Sequence, residues 1–173
     1  MEFHENRYDM KVCFIGHRTI KRTEKLFTLL EETIISLINK GAKTFLFGSR
    51  SDFDHLAREV VTRLKEKYPK IKRVYVRAEY KYVNSTYENY LLNFYDETYF
   101  PQKLENAGRY SYVERNYEMV DQSAYCVFYY NENYVLPMTQ SKSSMLRRNS
   151  GTKIAYEYAI KKKKQIINLF VGE

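Results

Sequence analysis

Short apolar runs alternate with amphipathic segments in the first part of the chain. Residues 11–15 and 43–47 are apolar runs that each end at a glycine, which predicts two buried strands. Between them, apolar residues at helical spacing predict a helix over residues 19–40. Gly41 stands where such a helix is expected to stop. The pattern therefore opens as strand, helix, strand.

A second helix is predicted to follow the second strand. Ser51 stands at an N-cap position, and Asp54, three residues later, completes the pattern of a capping box. The helical spacing stops before Pro69, and residues 71–76 read as a third strand. Strands that alternate with helices across short connections predict a parallel sheet with helices on both faces.

The regular alternation breaks after the third strand. Residues 78–111 are predicted to be an insertion, irregular except for a short helix near residues 88–94. Four regular segments then follow, predicted as helix, strand, helix and strand: residues 113–121, 124–129, 152–164 and 165–171. Residues 1–173 are therefore predicted to form a single three-layer α/β domain.

Tyrosines are concentrated in and around the insertion. The chain has 18 tyrosines, and fourteen of them lie in residues 75–134. Most are expected to pack, because such rings cover apolar surface while the hydroxyl stays in water. Tyr80, Tyr82 and Tyr112 follow strand ends or begin a helix, so these three are candidates for stacking on a base.

The start of the last predicted helix is suited to an anion. Ser150, Gly151 and Thr152 place free backbone N–H groups, a hydroxyl and the positive end of the helix dipole together. Arg147 and Arg148 lie just upstream and add two full charges. This stretch predicts a phosphate site.

The turns after the strands contain the other candidates. Because the carboxyl ends of parallel strands share one edge, these turns are expected to converge with the phosphate site, where such sheets bind ligands. The candidates for contact with a phosphate or a base in these turns are Gly16, His17, Arg18, Gly48 and Ser49. Asp52 or Asp54 is expected to hold a ribose hydroxyl, with helix capping as the alternative for Asp54.

Four candidate residues have a second interpretation. His17 either donates to a ligand or hydrogen-bonds a neighbouring loop, and Arg18 either contacts a ligand or pairs with a surface acid. Arg115 and Asn116, on a predicted helix, either bind the ligand or tether the insertion to the core.

Composition and charge narrow the function classes. The chain has 29 basic and 21 acidic residues, a net charge of +8 that permits nucleic-acid binding without requiring it. Four lysines at residues 161–164 are interpreted as compensation of a helix dipole. No apolar run is long enough to span a membrane, and the first residues do not resemble a secretory signal.

The cysteines and histidines predict no special chemistry. Cys13 and Cys126 lie in strand-like runs and are interpreted as buried thiols, typical of a cytoplasmic protein. No Cys or His has metal-ligand spacing, so no metal site is predicted, and no cofactor is predicted either. The sequence leaves the oligomeric state open and is compatible with a homo-oligomer.

Four ordered blocks resemble one family. The run from Cys13 to Arg18 is similar to the opening C-x-x-G-H-R of the YpsA-like proteins, a family of the SLOG superfamily. Three further blocks resemble its G-x-x-x-G-x-D-x-x-A, R-N-x-x-M-V-D and closing G-G-T segments: residues 48–57, 115–121 and 150–152. The resemblance implies a Rossmann-like fold and a nucleotide or nucleotide derivative as ligand.

The chain departs from this family at two glycines. The second glycine of the second block is replaced by Asp52 or Phe53, and the first glycine of G-G-T is Ser150. A Cβ at either position occupies space that a glycine leaves open for the close approach of a phosphate. A wider turn is therefore expected after the second strand.

A related group within the superfamily, the LOG-type phosphoribohydrolases, places a glutamate three residues after the threonine. In this chain that position is Ala155, and the nearest acid is Glu157. Side chains two positions apart on a helix point about 200° apart around its axis, so Glu157 is expected to point away from the site. The resemblance therefore favours binding of a nucleotide over its hydrolysis, although Asp52, Asp54 or Glu114 could supply a base.

Two other function classes remain open. One is hydrolysis of a nucleotide N-glycosidic bond, as in the LOG-type group. The other is nucleic-acid binding, which the charge supports but the site pattern does not favour, as in a DNA-processing branch of the superfamily. Residues 131–150 form a long polar stretch beside the predicted site and are expected to act as a lid.

Overall fold

The computed structural model describes residues 9–135 and 150–172, which form an α/β domain. The strands are β1 (Met10–Gly16), β2 (Ala42–Phe47), β3 (Lys72–Val76), β4 (Glu97–Tyr99), β5 (Tyr125–Tyr129) and β6 (Gln165–Asn168). The helices are α1 (Glu24–Asn39), α2 (Asp52–Lys67), α3 (Ser85–Leu92), α4 (Ser111–Gln122) and α5 (Gly151–Lys161).

The strands form one parallel sheet in the order β4-β3-β2-β1-β5-β6. The chain builds outward from β1 to β4 and then returns to place β5 on the other side of β1. The strand order therefore reverses at β1, and the crevice beyond its carboxyl end is where such folds bind ligands.

Alternating side chains of β1 feed two apolar layers. Val12 and Phe14 join the core that α1 and α2 cover, whereas Cys13 and Ile15 join the core beneath α4 and α5. Both faces of the sheet are thus buried under helices, which confirms the predicted three-layer Rossmann-like fold. Cys13 lies opposite Cys126 in the register of β1 and β5, and both are buried free thiols.

The first helix starts later than its apolar spacing predicts. Residues 19–23 are outside α1, because Thr23 is its N-cap and accepts the N–H of Leu26 at 3.1 Å. At the other end Gly41 follows the helix with φ of 111°, a left-handed conformation that suits glycine.

The sequence pattern did not predict β4. Its three residues are too few to show a periodicity, and they form a strand because β3 offers a free edge. The Thr98 hydroxyl donates to the carbonyl oxygen of Tyr75 at 2.9 Å, and the N–H of Arg77 donates to that of Tyr99 at 2.8 Å. Part of the segment predicted as irregular therefore extends the sheet.

The end of β1 lies very close to the start of α2. A Cβ built on Gly16 would lie 2.3 Å from Cδ1 of Phe53 and 2.6 Å from its Cβ. Phe53 is fully buried in the core and also packs edge-on against Phe14. Gly16 is therefore needed for α2 to pack close to the end of β1.

Replacing Gly16 with alanine is expected to lower the free energy of unfolding by roughly 1–3 kcal/mol, because Phe53 and its helix must move. Thermal denaturation measures this change. Gly151→Ala is the matched control, since a Cβ there meets nothing closer than the Asn116 amide nitrogen at 4.0 Å. Equal melting of the two variants would contradict this account of Gly16.

Candidate functional site

A cavity of about 510 Å³ opens at the carboxyl edge of the sheet, at the ends of β1 and β2 and the start of α5. We call it the edge cavity. Eleven of the twelve candidate residues line it: Gly16, His17, Arg18, Gly48, Ser49, Asp54, Arg115, Asn116, Ser150, Gly151 and Thr152. The turns that the sequence placed on one edge thus meet around a single space.

Asp52 is the candidate that does not line the edge cavity. Its carboxylate accepts the N–H of Ile20 at 3.4 Å, and its own N–H donates to the carbonyl oxygen of Arg18 at 2.8 Å. These two bonds tie the chain after β1 to the start of α2. Asp52 therefore stabilises the contact between these two segments and does not line the cavity.

The start of α5 presents backbone donors to the cavity. The Ser150 hydroxyl accepts the N–H of Lys153 at 3.0 Å, which caps the helix. The N–H groups of Gly151 and Thr152 have no acceptor among the residues that the structure describes. Free N–H groups of this kind at a helix start are suited to an anion. Arg147 and Arg148 lie outside the described residues.

Asp54 holds the turn after β2 from within the core. Its Oδ2 accepts the N–H of Gly48 at 3.2 Å and that of Ser49 at 2.7 Å. The expected capping box is only half formed. Ser51 does cap α2 by accepting the N–H of Asp54 at 3.0 Å, but the N–H of Ser51 donates to the Ser49 hydroxyl at 3.2 Å and not to Asp54. The carboxylate therefore stabilises the turn and does not cap the helix.

The remaining oxygen of Asp54 has no partner. The side chain is buried, and Oδ1 has no hydrogen-bond donor in the described chain. Burial raises the pKa of Asp54 to about 6, although the N–H groups of Ser49 and Gly48 and the Arg115 guanidinium act in the opposite direction. Asp54 is thus a buried acid beside the cavity, with one oxygen that has no partner in the described chain.

Arg115 reaches from α4 to the same turn. Its Nη1 donates to the carbonyl oxygen of Gly48, and its Nε donates to the Asn116 side-chain oxygen at 3.0 Å. A Cβ on Gly48 would lie 2.5 Å from Cδ of Arg115, so the glycine is what admits this side chain. Burial lowers the pKa of Arg115. The guanidinium binds the β2 turn to α4, which is a different tether from the one to the insertion that the sequence suggested.

His17 is bound by the loop after β5. Its Nε2 accepts the N–H of Asn131 at 2.8 Å, and its ring stacks on Tyr134 with centroids 3.9 Å apart. Burial lowers the pKa of His17 to about 4, so the ring is neutral at pH 7. Because Nε2 is an acceptor, the proton is on Nδ1, which has no partner in the described chain. The loop hydrogen bond is the interpretation that the structure favours.

The aromatic lining differs from the one that the sequence suggested. Tyr112 lines the edge cavity, and its hydroxyl donates to Glu79 at 2.8 Å. Tyr80 and Tyr82 do not line it and are exposed. Nine lining residues were not among the sequence candidates, and they include Arg50, Tyr75, Glu79 and Tyr134. Arg50 lies in the turn after β2, so its position could have identified it, whereas the approach of Tyr75, Glu79 and Tyr134 to the cavity depends on the tertiary fold.

The two departures from the family pattern leave the cavity open. Phe53 is turned into the core, and Asp52 lies behind the turn, so neither side chain enters the edge cavity. Ser150 lines the cavity but uses its hydroxyl as the cap of α5. Asp54 holds the turn after β2 by accepting the N–H groups of Gly48 and Ser49, and the wider turn stays a prediction.

The carboxylate expected of a LOG-type hydrolase is absent from the described site. Ala155 is buried in the layer beneath α4 and α5. Glu157 is 61% exposed, lies 3.8 Å from the Lys153 ammonium group and does not line the cavity. Glu114 is not a lining residue either, and the acids of the described lining are Asp54 and Glu79.

Neither a metal-binding cluster nor a membrane-spanning helix is present in the described residues. They contain no group of three or more His, Cys, Asp or Glu side chains that could hold a metal ion. Among the same residues, no helix is long and apolar enough to cross a membrane. The predicted lid falls mostly on residues 136–149, which lie outside the described part of the chain.

Asp54 and His17 give the fold a testable pH dependence. The folded pKa of Asp54, about 6, lies above its ordinary 3.8, so its contribution to the unfolding free energy falls as pH rises from about 4 to about 6, by on the order of 3 kcal/mol. His17 changes stability in the opposite sense over an overlapping range, because its pKa is lowered from 6.5 to about 4.

The unfolding free energy of Asp54→Asn at each pH is subtracted from that of the original chain, which isolates the contribution of the Asp54 carboxylate. Denaturant unfolding between pH 4 and pH 7 is the measurement, with the difference expected to change between about 4 and about 6. Parallel profiles for the two proteins would contradict the raised pKa.

Comparison with known proteins agrees with this architecture. No curated protein matches the chain. A solved structure of DNA processing protein A from Helicobacter pylori, described for its single-stranded DNA binding mode, is similar with a TM-score of 0.55 and 16% sequence identity. The match covers 92% of this chain but 64% of that one, so it shows the fold alone. A family model, YpsA, described as the YspA SLOG family, matches residues 10–163, and the chain therefore belongs to that family.

Proposed function

We propose that this protein binds a nucleotide or a nucleotide derivative in the edge cavity, as a binding or sensing module. The observation that carries the proposal is the convergence of an open helix start, arginine side chains and three tyrosine rings around one space of about 510 Å³. That volume lies within the range of small-molecule sites, about 300–1,000 Å³.

The phosphate end of the ligand is assigned to the start of α5. The open N–H groups of Gly151 and Thr152 and the positive end of the helix dipole favour an anion there. Arg18 is exposed on the cavity wall and supplies a full positive charge. Membership of the SLOG family supports a nucleotide-related ligand.

The sugar and the base are assigned to the opposite wall. The unpartnered Oδ1 of Asp54 is a hydrogen-bond acceptor suited to a ribose hydroxyl. Tyr75, Tyr112 and Tyr134 line the cavity and offer aromatic surface to a base. Ribose binding is proposed for Asp54 alone, because Asp52 lies outside the lining.

Changing Gly151 to aspartate tests the phosphate site. A carboxylate at the start of α5 is favourable for the helix by about 0.3–1 kcal/mol, so the fold is expected to be retained. Ligand affinity should fall by two orders of magnitude or more, because two unit charges about 4 Å apart repel by roughly 4 kcal/mol near a protein surface.

Calorimetric titration with nucleoside mono-, di- and triphosphates and ADP-ribose derivatives is the measurement, with Gly151→Ala as the uncharged control. The control adds a Cβ without a charge, so its affinity should fall much less than that of Gly151→Asp. Absence of binding across the whole panel would refute the proposed function.

Hydrolysis of a nucleotide N-glycosidic bond is the second candidate. It is favoured by one observation, that Asp54 lines the cavity with a pKa raised to about 6, which suits general acid–base catalysis. If the protein is such an enzyme, free base should be released from nucleoside monophosphates, and Asp54→Asn should abolish the release. No release by the original chain would exclude this candidate.

A further inference from the structure

A second surface rich in aromatic side chains lies outside the edge cavity. Of the nine large apolar side chains that are exposed in the described chain, six fall in residues 80–112: Tyr80, Tyr82, Tyr90, Leu92, Tyr110 and Tyr112. Exposed apolar surface is therefore concentrated in one segment, and such concentration marks an interaction site more often than chance exposure does.

Four aromatic rings in this segment form a continuous row that we call the aromatic ladder: Tyr80, Tyr87, Tyr90 and Phe94. Their ring centroids are 6.2, 6.3 and 5.3 Å apart in that order. The last three are spaced by three and four residues, which places them along one side of α3 and the turn after it. Tyr80 and Tyr90 are each 55% exposed, so the row is open to solvent.

Arginines accompany the ladder along its length. The Arg58 guanidinium lies 4.7 Å from the centre of the Phe94 ring. Arg77 donates to the carbonyl oxygens of Tyr80 and Lys81 at 3.2 and 3.1 Å. Neither arginine forms an ion pair with a carboxylate in the described part of the chain. Their charges are available to an anionic partner.

The ladder is connected to the edge cavity. Arg50 lines the cavity, and a hydrogen bond with Tyr87 together with the nearby Glu79 carboxylate raises the pKa of Arg50. Tyr112, another lining residue, donates to the same Glu79. The ladder is therefore linked to the cavity lining through Tyr87 and Arg50.

Open rings beside unpaired arginines fit a single-stranded nucleic acid. Its unpaired bases stack on aromatic side chains while its phosphates take positive charge, whereas a duplex hides its base faces. A protein partner also uses Tyr and Arg. The net charge of +8 and the continuity with a cavity suited to one nucleotide favour the polynucleotide.

We propose that the aromatic ladder binds a single-stranded nucleic acid whose terminal nucleotide occupies the edge cavity. The placement of the terminal nucleotide rests on the proposed function, whereas the stacking of the following bases on the ladder does not. In this arrangement the edge cavity binds the terminal nucleotide of the strand, and the ladder binds the bases that follow it.

Binding as a function of oligonucleotide length separates the two surfaces. Thymidine oligonucleotides of one to about eight nucleotides compete with a labelled strand for the protein. The fluorescence anisotropy of the labelled strand measures the competition. For the original chain, affinity should rise with each added nucleotide that reaches the ladder. For the double variant Tyr80→Ala, Tyr90→Ala, whose two side chains do not line the cavity, the mononucleotide should bind as before, and the longest strand should bind about 10-fold or more weakly.

Three further variants make the test independent of folding. Tyr90→Ala changes only a side chain that is 55% exposed, so its fold should be intact and its loss of affinity partial. Tyr90→Phe keeps the ring and should bind as the original chain does. Tyr82→Ala removes the most exposed tyrosine, 82% exposed and outside the ladder, and should leave binding unchanged.

The outcomes distinguish this inference from the proposed function. Two results overturn the ladder: mononucleotide binding with no gain in affinity as the strand lengthens, and long strands that bind the double variant as tightly as the original chain. The same results are expected if the ladder binds a protein partner instead. A gain with length that the double variant loses, without mononucleotide binding, supports the ladder and refutes the cavity assignment. Absence of both kinds of binding overturns both.

Discussion

The site depends on the Asp54 carboxylate. One of its oxygens accepts the N–H groups of Gly48 and Ser49, and Arg115 reaches from α4 to the carbonyl oxygen of the same glycine. The start of α2, the end of β2 and the middle of α4 are thereby joined at a single turn. An ionised side chain is expensive to bury, and two N–H donors and a nearby guanidinium offset much of that penalty.

The same arrangement leaves one oxygen of Asp54 and one nitrogen of His17 without partners in the described chain. Buried polar atoms in that state lower the stability of an unliganded fold. Both residues line the edge cavity, and the His17 ring stacks on Tyr134, another lining residue.

The local pattern of apolar and polar residues was sufficient to predict most of the strands and helices. Buried parallel strands are continuous apolar runs, and amphipathic helices repeat their apolar residues every three or four positions, so β1, β2 and α2 could be placed from sequence. Because all carboxyl ends of parallel strands share an edge, the convergence of Gly16, Gly48 and Gly151 also followed. The short strand β4 did not, since three residues carry no period and pairing with β3 creates it.

The roles of individual side chains in the site were decided by distance and burial, which sequence spacing does not contain. Asp54 fits a capping box by spacing, yet burial and the nearby turn direct its carboxylate to Gly48 and Ser49. Asp52, two residues away, lies outside the cavity because a helix turns its side chains by about 100° per residue. The sequence by itself determined the layered sheet, the edge that carries the site and the helix start suited to an anion. Only the tertiary structure decided which carboxylate, arginine and tyrosines line the space, because loops distant in the chain must fold together to form its wall.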